Sequence, residues 1–313
     1  MPSREYPAVI VLGPTASGKT SLSMSLASRF DGEIVCCDAL QIYRHMDIGT
    51  AKPSAAAREG VPHHMIDLRN PDEYFSAGDY QRLAREVLRG IRSRSRVPFI
   101  EGGSGFYLRA LIHGLFEGPR RSEQVRSRLR NIVARRGTGL LHRALCRVDP
   151  QAGARIAPSD SARIIRAYEV YLDTGTPISQ WQHRMPDNFE GFRWLKLGID
   201  WPRAMLYQRI DKRVEEMLQA GFADEVRSLL DRFPRECHPF KAIGYKQVGD
   251  YLEGRSTLDQ AIEQIQRASR HYAKRQLTWF RSDPEVIWLP GQDSESLQTQ
   301  ASARVAELVR PAD

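Results

Sequence analysis

The chain has 313 residues, a hydrophobic content of 41% and a formal net charge of +8. This length and composition exclude a disordered chain and allow one large domain with a smaller one. The basic balance favours a polyanionic partner such as nucleic acid, although a solvated surface explains the charge alone equally well.

The cysteines and the N-terminal segment indicate the compartment. The cysteines are Cys36, Cys37, Cys146 and Cys237, and no C-x-x-C pair occurs. The sequence therefore predicts neither a disulfide framework nor a zinc module, and it favours a reducing compartment. Residues 1–12 lack the layout of a secretory signal, and no apolar stretch approaches the length of a membrane span. We expect a cytoplasmic protein with no membrane partner.

Predicted strands and helices alternate along the first part of the chain. Strands are predicted at 8–12, 33–37 and 97–100, and helices at 18–30 and 106–113. Such alternation is typical of an α/β fold with a mainly parallel sheet flanked by helices. Ligands of these folds bind at the carboxyl ends of the strands.

The middle of the chain has a different character. Between Glu117 and Gly191 arginine becomes dense, strand signals fade, and helical spacing dominates at 125–133 and 162–172. We interpret 117–191 as an inserted all-helical domain. After the insertion, a strand is predicted at 193–199 and helices at 203–221 and 258–280. The core domain then comprises 1–116 and 192–313. The sequence of the polar tail after Pro290 does not indicate a role for it.

A glycine-rich motif follows the first predicted strand. Its residues are Gly13, Pro14, Thr15, Ala16, Ser17, Gly18, Lys19 and Thr20, which fit G-x4-G-K-[ST] between a strand and a helix. Backbone N–H groups of such a loop surround a phosphate, and Lys19 adds a positive charge. The Thr20 hydroxyl is predicted to bind Mg²⁺. The motif predicts a P-loop NTPase-like fold and a bound phosphate compound, with ATP as the default ligand.

Two weaker signals lie at the ends of neighbouring strands. Asp38 ends the second predicted strand, where a carboxylate can bind Mg²⁺ or act as a general base. Ser104 lies in the segment Glu101-Gly-Gly-Ser-Gly105, which brings flexible backbone and a hydroxyl to the end of the third strand. For both residues an ordinary turn is the alternative.

Two basic segments follow in the C-terminal half. Arg213 shares a helix face with Arg209, and a solvated face paired with nearby glutamates is the alternative. The segment 274–281 mixes cations with aromatic residues, which suits phosphate contact and base stacking or, equally, a helix with a buried stripe.

Taken together, these stretches resemble the tRNA isopentenyltransferase family, bacterial type, over nearly the whole chain. The resemblance is carried by the glycine-rich motif, Asp47-Ile-Gly-Thr-Ala-Lys-Pro53, Pro62-His-His-Met-Ile-Asp67, Gly244-Tyr-Lys-Gln247 and Lys274-Arg-Gln-Leu-Thr-Trp279. It implies that the P-loop holds the diphosphate of dimethylallyl diphosphate instead of ATP. The five-carbon group would then pass to N6 of adenine 37 in tRNA.

The resemblance also implies roles for single residues. Asp38 would act as the general base, Ser104 would assist at the reacting centre, and Arg213 would bind the diphosphate. The implied tRNA contacts are Asp38, Ala39, Leu40, Gln41, Ser104, Arg126, Arg163, Arg166, Lys241, Gly244, Tyr245, Lys246, Lys274, Arg275 and Arg281. The helical insertion would clamp the anticodon stem-loop, and the expected enzyme is a monomer.

The chain departs from the family pattern at three positions. Ser104 stands where threonine is usual, Ala39 where serine is common, and Glu101 where an apolar residue is usual. Two other functions are compatible with a P-loop: a small-molecule kinase using ATP, and an RNA-binding ATPase that modifies nothing. The kinase does not explain the basic insertion.

Overall fold

The computed structural model describes residues 5–116, 118–119, 121–183 and 188–310, with only the backbone of His183. The chain forms two compact units, Met1–Ile112 with Phe189–Asp313, and His113–Asn188. Glu117, at the start of the predicted insertion, lies outside the described residues. The first unit is discontinuous in sequence, and the two units are described separately below.

The first unit contains one parallel sheet. Its strands are β1 (Tyr6–Leu12), β2 (Gly32–Cys36), β3 (His63–His64), β4 (Val97–Gly102), β5 (Phe192–Asp200) and β6 (Val286–Pro290). The strand order is β3-β2-β4-β1-β5-β6. In the register of β1, Val9 pairs with Phe99 of β4 and with Leu195 of β5. The parallel α/β fold predicted from the sequence is confirmed, and the glycine-rich motif follows a central strand.

Helices connect these strands and form the second unit. In the first unit they are α1 (Lys19–Arg29), α2 (Ala55–Arg58), α3 (Ala77–Ser93), α4 (Gly105–His113), α10 (Arg203–Gln219), α11 (Phe222–Arg232), α12 (Tyr245–Leu252), α13 (Leu258–Arg281) and α14 (Ser294–Val309), with a 3₁₀ turn at His238–Lys241. In the second unit they are α5 (Glu123–Arg136), α6 (Thr138–Val148), α7 (Pro150–Arg155), α8 (Ser161–Thr174) and α9 (Ile178–His183). None of the helices in the described ranges combines the length and apolarity needed to cross a bilayer.

Both faces of the sheet are buried, which the apolar runs of its strands predict. Along β1, Ile10 belongs to one core cluster, whereas Val9 and Val11 belong to the cluster on the opposite face. The second cluster also receives Leu297, Ala301 and Val305 of α14. The polar tail after Pro290 therefore contains a helix that covers one face of the sheet.

The helical unit has its own core and a buried ion cluster. Leu129, Leu145 and Ile164 are among its buried apolar residues. Glu169, which is fully buried, accepts hydrogen bonds from Arg126 Nε at 3.0 Å and Arg166 Nη1 at 2.8 Å. The helices predicted at 125–133 and 162–172 are confirmed as the central parts of α5 and α8.

Candidate functional site

The glycine-rich loop turns between β1 and α1 with a backbone suited to an anion. Ala16 and Gly18 adopt left-handed conformations, with φ of 63° and 93°. Gly18 caps α1 without a side-chain hydrogen bond. Because the first N–H groups of a helix lack intrahelical partners, they are available to an anion at this end.

Gln276 of α13 fixes one side of the loop. Its Oε1 accepts from the Thr15 N–H at 2.9 Å, and its Nε2 donates to the Gly103 carbonyl at 2.9 Å. A Cβ on Gly103 would lie 2.2 Å from this Nε2, so the close approach requires glycine. One buried amide therefore joins the phosphate loop to the end of β4.

Two side chains fix the other side of the loop. Trp201 Nε1 donates to the Ser17 carbonyl at 3.0 Å, and Arg209 Nε donates to the Ala16 carbonyl at 2.8 Å. The guanidinium of Arg209 lies 4.2 Å from the centre of the Trp201 ring. These donors hold the loop through its carbonyl groups.

The charged end of the motif contacts the neighbouring strand. Lys19 Nζ donates to the Pro14 carbonyl at 3.0 Å, and Thr20 Oγ1 donates to Glu101 Oε1 at 3.0 Å. Burial lowers the pKa of Lys19, and the Glu101 carboxylate opposes this shift. Burial raises the pKa of Glu101, and Lys19 opposes it. The site thus holds opposite charges close together.

Asp38 and Ser104 lie together at the strand ends. Asp38 follows β2 and accepts at Oδ1 from the Leu40 N–H at 2.8 Å, which forms a tight turn. Ser104 follows β4, and its Oγ accepts from the Ala39 N–H at 3.3 Å. Asp38 lines the cleft, and within the described part of the chain its Oδ2 accepts no hydrogen bond.

Two adjoining cavities share Asp38 in their lining. A cleft of about 1220 Å³ contains the glycine-rich loop from Thr15 to Thr20, and a second cavity of about 350 Å³ is lined partly by apolar side chains such as Leu40 and Ile243. Both cavities are lined by Thr15, Asp38, Thr50, Arg213, Met217 and Tyr272. Among the described residues, the Arg213 side chain has no hydrogen bond or ion pair, so its guanidinium is available to a ligand.

The rim of the cleft joins two of the sequence motifs through Lys52. Its Nζ donates to Asp47 Oδ1 at 2.6 Å, Asp67 Oδ1 at 2.7 Å and the Tyr43 carbonyl at 2.8 Å. The Lys52 side chain is 2% exposed. Since a buried ammonium without partners is costly, these contacts fix the 47–53 segment at the rim.

Glu225 of α11 holds the same segment from its other side. Its carboxylate accepts from three successive backbone N–H groups, those of Asp47, Ile48 and Gly49, at 2.9, 2.6 and 3.2 Å. Tyr245 donates its hydroxyl to the same carboxylate at 2.7 Å. The predicted tRNA contact Tyr245 is therefore fully buried, and its side chain supports the rim instead of facing solvent.

The other predicted tRNA contacts fall into different environments. Those with exposed side chains are Lys241, Lys246, Lys274, Arg275, Arg281 and Arg163, and those that are buried or partly buried are Asp38, Ala39, Leu40, Gln41, Ser104, Gly244, Arg126 and Arg166. Lys241 and Gly244 line the smaller cavity. Trp279 is 40% exposed, whereas its neighbour Phe280 is buried. The segment 274–281 therefore combines a core face with a basic outer face.

Several residues that fix this site could not be identified as site residues from the sequence. Gln276 lies inside a family motif, and the motif alone does not show that its amide holds Thr15. Trp201 and Glu225 lie in no motif recognised from the sequence, and the helix face that Arg209 shares with Arg213 does not reveal its contact with the Ala16 carbonyl. A glutamate at the start of a helix is a common N-terminal residue, so only the folded chain reveals the contacts of Glu225.

The site offers oxygen ligands of the kind that Mg²⁺ prefers. Thr20, Glu101 and Asp38 all line the larger cleft. Across the described ranges, no three His, Cys, Asp or Glu side chains are grouped to hold a metal by themselves. The residues present therefore fit a cation that shares its coordination with a diphosphate and water.

Comparison with known proteins connects this geometry to one family. Residues 41–283 match the model of the family described as IPP transferase. The tRNA dimethylallyltransferase of Koribacter versatilis is 49% identical over 90% of this chain and 92% of its own length, and that of Solibacter usitatus is 47% identical over 97% and 99%.

Solved structures agree with these relatives. The tRNA isopentenylpyrophosphate transferase of Bacillus halodurans is 40% identical, with a TM-score of 0.72 over 97% of both chains. A eukaryotic dimethylallyltransferase acting on tRNA is 26% identical, with a TM-score of 0.81 over 96% of this chain and 77% of its own.

Proposed function

This chain belongs to the IPP transferase family, and from that membership we propose that it transfers a dimethylallyl group from dimethylallyl diphosphate to N6 of adenine 37 in tRNA. The observation that carries the proposal is that Asp38 and Arg213 line both the phosphate-loop cleft and the smaller cavity. A donor held in the cleft and a base entering the cavity would therefore meet at these two side chains.

The cleft suits the diphosphate end of the donor. The N–H groups at the start of α1, the ammonium of Lys19 and the guanidinium of Arg213 supply positive potential around one volume. As the allylic C–O bond breaks, negative charge collects on the departing diphosphate. Groups that stabilise this charge more strongly than the charge of the bound substrate accelerate the reaction.

The smaller cavity suits the acceptor. An adenine must leave its stack to present N6 to a buried centre, and a cavity with apolar walls can hold the flipped base. As the N6–C bond forms, the nitrogen gains positive charge and releases a proton. Asp38 would accept that proton at Oδ2, while Oδ1 keeps the turn at Leu40.

A magnesium ion would assist at the diphosphate. Thr20 is the residue proposed to hold it, and the ion would neutralise part of the charge on the leaving group. Ser104, which receives the Ala39 N–H, is proposed to assist at the reacting centre from the end of β4. The exposed cations Lys241, Lys246 and Arg275 are proposed to contact tRNA phosphates.

The helical unit is proposed to bind the anticodon stem-loop through its arginines. We propose that the acting unit is a monomer, working in the cytoplasm on tRNA. A basic chain of this kind gains affinity by releasing counterions, so tRNA binding should weaken with rising salt.

The direct test supplies the purified protein with Mg²⁺, radiolabelled dimethylallyl diphosphate and an unmodified anticodon stem-loop with an adenine at position 37, followed by nucleoside analysis. Label on N6 without ATP is the expected result. ATP consumption with phosphorylation of a small acceptor would indicate a kinase instead, and ATP turnover without modified RNA would indicate an ATPase.

A further inference from the structure

Glu101 is a carboxylate at the C-terminal end of β4, directly beside the glycine-rich loop. Its side chain is 6% exposed, yet it lines the cleft that contains the loop. A buried carboxylate is costly unless it is paired or hydrogen-bonded. The contacts of Glu101 therefore indicate why this strand ends in an acid.

The hydrogen bond at Glu101 comes from Thr20. Thr20 Oγ1 donates to Glu101 Oε1 at 3.0 Å, and the described residues give the Glu101 side chain no other hydrogen bond. Lys19 is nearby, but its Nζ donates to the Pro14 carbonyl, and no ion pair joins it to Glu101 in the part of the chain described. Glu101 thus acts on the threonine hydroxyl.

This hydrogen bond determines the direction in which Thr20 can act. A hydroxyl has one proton and two lone pairs, and the proton here is given to Glu101. The lone pairs of Oγ1 are therefore left for a cation in the cleft. Outer carboxylates of this kind orient metal ligands and raise their basicity.

The position also matches a general arrangement of phosphate-loop sites. In such sites a Mg²⁺ ion is held between the Ser/Thr of the loop and an acidic residue on another strand. Here β4 pairs directly with β1, and Glu101 lies opposite Val11, next to the start of the loop. The second oxygen of Glu101, Oε2, has no hydrogen bond among the described residues and can receive a water of the cation.

We propose that Glu101 is a positioning residue for the divalent cation of the diphosphate, acting by orienting the Thr20 hydroxyl and by accepting a water of the ion. The inference rests on the proposed function, since the cation accompanies the diphosphate. It explains the acid as part of the metal site, in addition to its electrostatic interaction with Lys19.

The test measures binding of Mn²⁺, as a paramagnetic replacement for Mg²⁺, to the full chain in the presence of inorganic pyrophosphate, by electron paramagnetic resonance. Glu101→Val should weaken Mn²⁺ binding by about tenfold or more, within the range found for outer-shell partners. Glu101→Gln keeps an acceptor for Thr20 and loses the charge, so its affinity should fall between those of the valine variant and the natural chain.

A double-mutant cycle with Thr20→Val separates positioning from general electrostatics. If Glu101 acts through Thr20, the loss in the Thr20→Val, Glu101→Val double variant is smaller than the product of the two single losses. Independent losses would overturn the positioning role. Thr20→Ser retains the hydroxyl and should bind Mn²⁺ nearly as the natural chain does.

The outcomes distinguish this inference from the proposed function. If the natural chain binds Mn²⁺ with pyrophosphate and Glu101→Val binds it equally well, the role of Glu101 is wrong and the proposed function stands. If the natural chain does not bind Mn²⁺ in the presence of pyrophosphate, the proposed phosphate and cation site is itself wrong. Thermal unfolding of each variant without metal checks that the variant is folded. If Glu101→Val does not fold, a comparison of Thr20→Ser with Thr20→Val tests whether Mn²⁺ binding needs the Thr20 hydroxyl.

Discussion

The hydroxyl of Tyr245 donates to the carboxylate of Glu225 at 2.7 Å, and this one contact joins α12 to α11 at the wall of the site. The same carboxylate receives the backbone N–H groups of residues 47–49. Asp47 and Ile48 line the larger cleft and Gly49 lines the smaller cavity, so the partly buried carboxylate of Glu225 is an anchor for a wall of both cavities.

Replacing Glu225 should loosen this wall. In Glu225→Ala the N–H groups of Asp47, Ile48 and Gly49 lose a charged acceptor, and the free energy of unfolding should fall by about 2–4 kcal/mol. Because the wall also shapes the cavities, kcat/KM for transfer should fall by at least about tenfold. Urea unfolding and steady-state transfer kinetics measure the two effects.

The neighbouring Asp224 provides the matched control. Its side chain is 77% exposed and pairs with Arg227 on the helix surface. Asp224→Ala should change the free energy of unfolding by less than about 0.5 kcal/mol. Equal destabilisation by the two alanine variants would show that the anchor has no special role.

Gln276→Glu tests the amide that joins Thr15 to Gly103. The carboxylate still accepts from the Thr15 N–H, but it cannot donate to the Gly103 carbonyl. Its second oxygen would instead lie against the carbonyl oxygen of Gly103, and two acceptors in contact repel each other. We expect a loss of about 1–3 kcal/mol in the free energy of unfolding, together with weaker diphosphate binding. Gln266→Glu, on the same helix with a hydrogen bond of 3.5 Å, is the control and should lose much less.

Asp38→Asn should separate binding from turnover. The asparagine keeps an acceptor for the Leu40 N–H, so the turn and tRNA binding should be retained. Loss of the proton acceptor should lower kcat by about 10²–10⁴-fold. Single-turnover transfer and a filter-binding measurement with the same stem-loop give the two numbers, and an unchanged kcat would remove Asp38 from the mechanism.

Arg213→Ala should mainly weaken diphosphate binding. The variant loses the charge-assisted hydrogen bonds between the guanidinium and the phosphate oxygens, so the KM for dimethylallyl diphosphate should rise by roughly tenfold or more. Arg213→Lys should recover only part of this loss, because an ammonium lacks the planar fork of a guanidinium. Arg227→Ala on the surface of α11 is the control, and an unaltered KM in Arg213→Ala would contradict the assignment.

Acid should weaken the helical unit through Glu169. Burial alone would raise the pKa of Glu169, but hydrogen bonds from Arg126 and Arg166 outweigh burial and lower the pKa. The stability that this carboxylate contributes is therefore complete above its ordinary value of 4.5 and is lost as the pH falls through the lower folded-state pKa. Urea unfolding midpoints measured between about pH 3.5 and 6 should fall with acid.

Glu169→Gln is the comparison for that prediction. The variant leaves Arg126 and Arg166 beside a neutral amide, so it should be less stable than the natural chain near neutral pH. Its unfolding midpoint should depend less on pH in the acid range. The same acid dependence in both proteins would show that other carboxylates are responsible.

Local sequence patterns predicted those parts of the fold whose signal lies within a short contiguous segment, such as buried strands and the glycine-rich motif. The runs that became β1 and β4 are apolar because both sheet faces are buried, and the glycine-rich motif lies where the strand and helix signals meet. By contrast, β3 contains only His63 and His64 and has no pattern of its own. Its pairing with β2 depends on the folded chain.

The missed parts of the site are contacts between residues far apart in sequence. Thr15 and Gln276 are 261 positions apart, and no spacing rule connects them. The helix α14 did leave a signal, because Leu297, Ala301 and Val305 recur every four residues in an otherwise polar tail. Glu101 was recognised as a departure, but its partner Thr20 became visible only through the pairing of β1 with β4.

The placement of β5 has a consequence for how the protein is made. β1 pairs on one side with β4 and on the other with β5, whose residue Leu195 lies opposite Val9. During synthesis the ribosome therefore completes the glycine-rich turn long before it releases the strand that closes the second edge of β1. A nascent or truncated chain that ends before Phe192 keeps that edge unpaired and ready to associate with other chains.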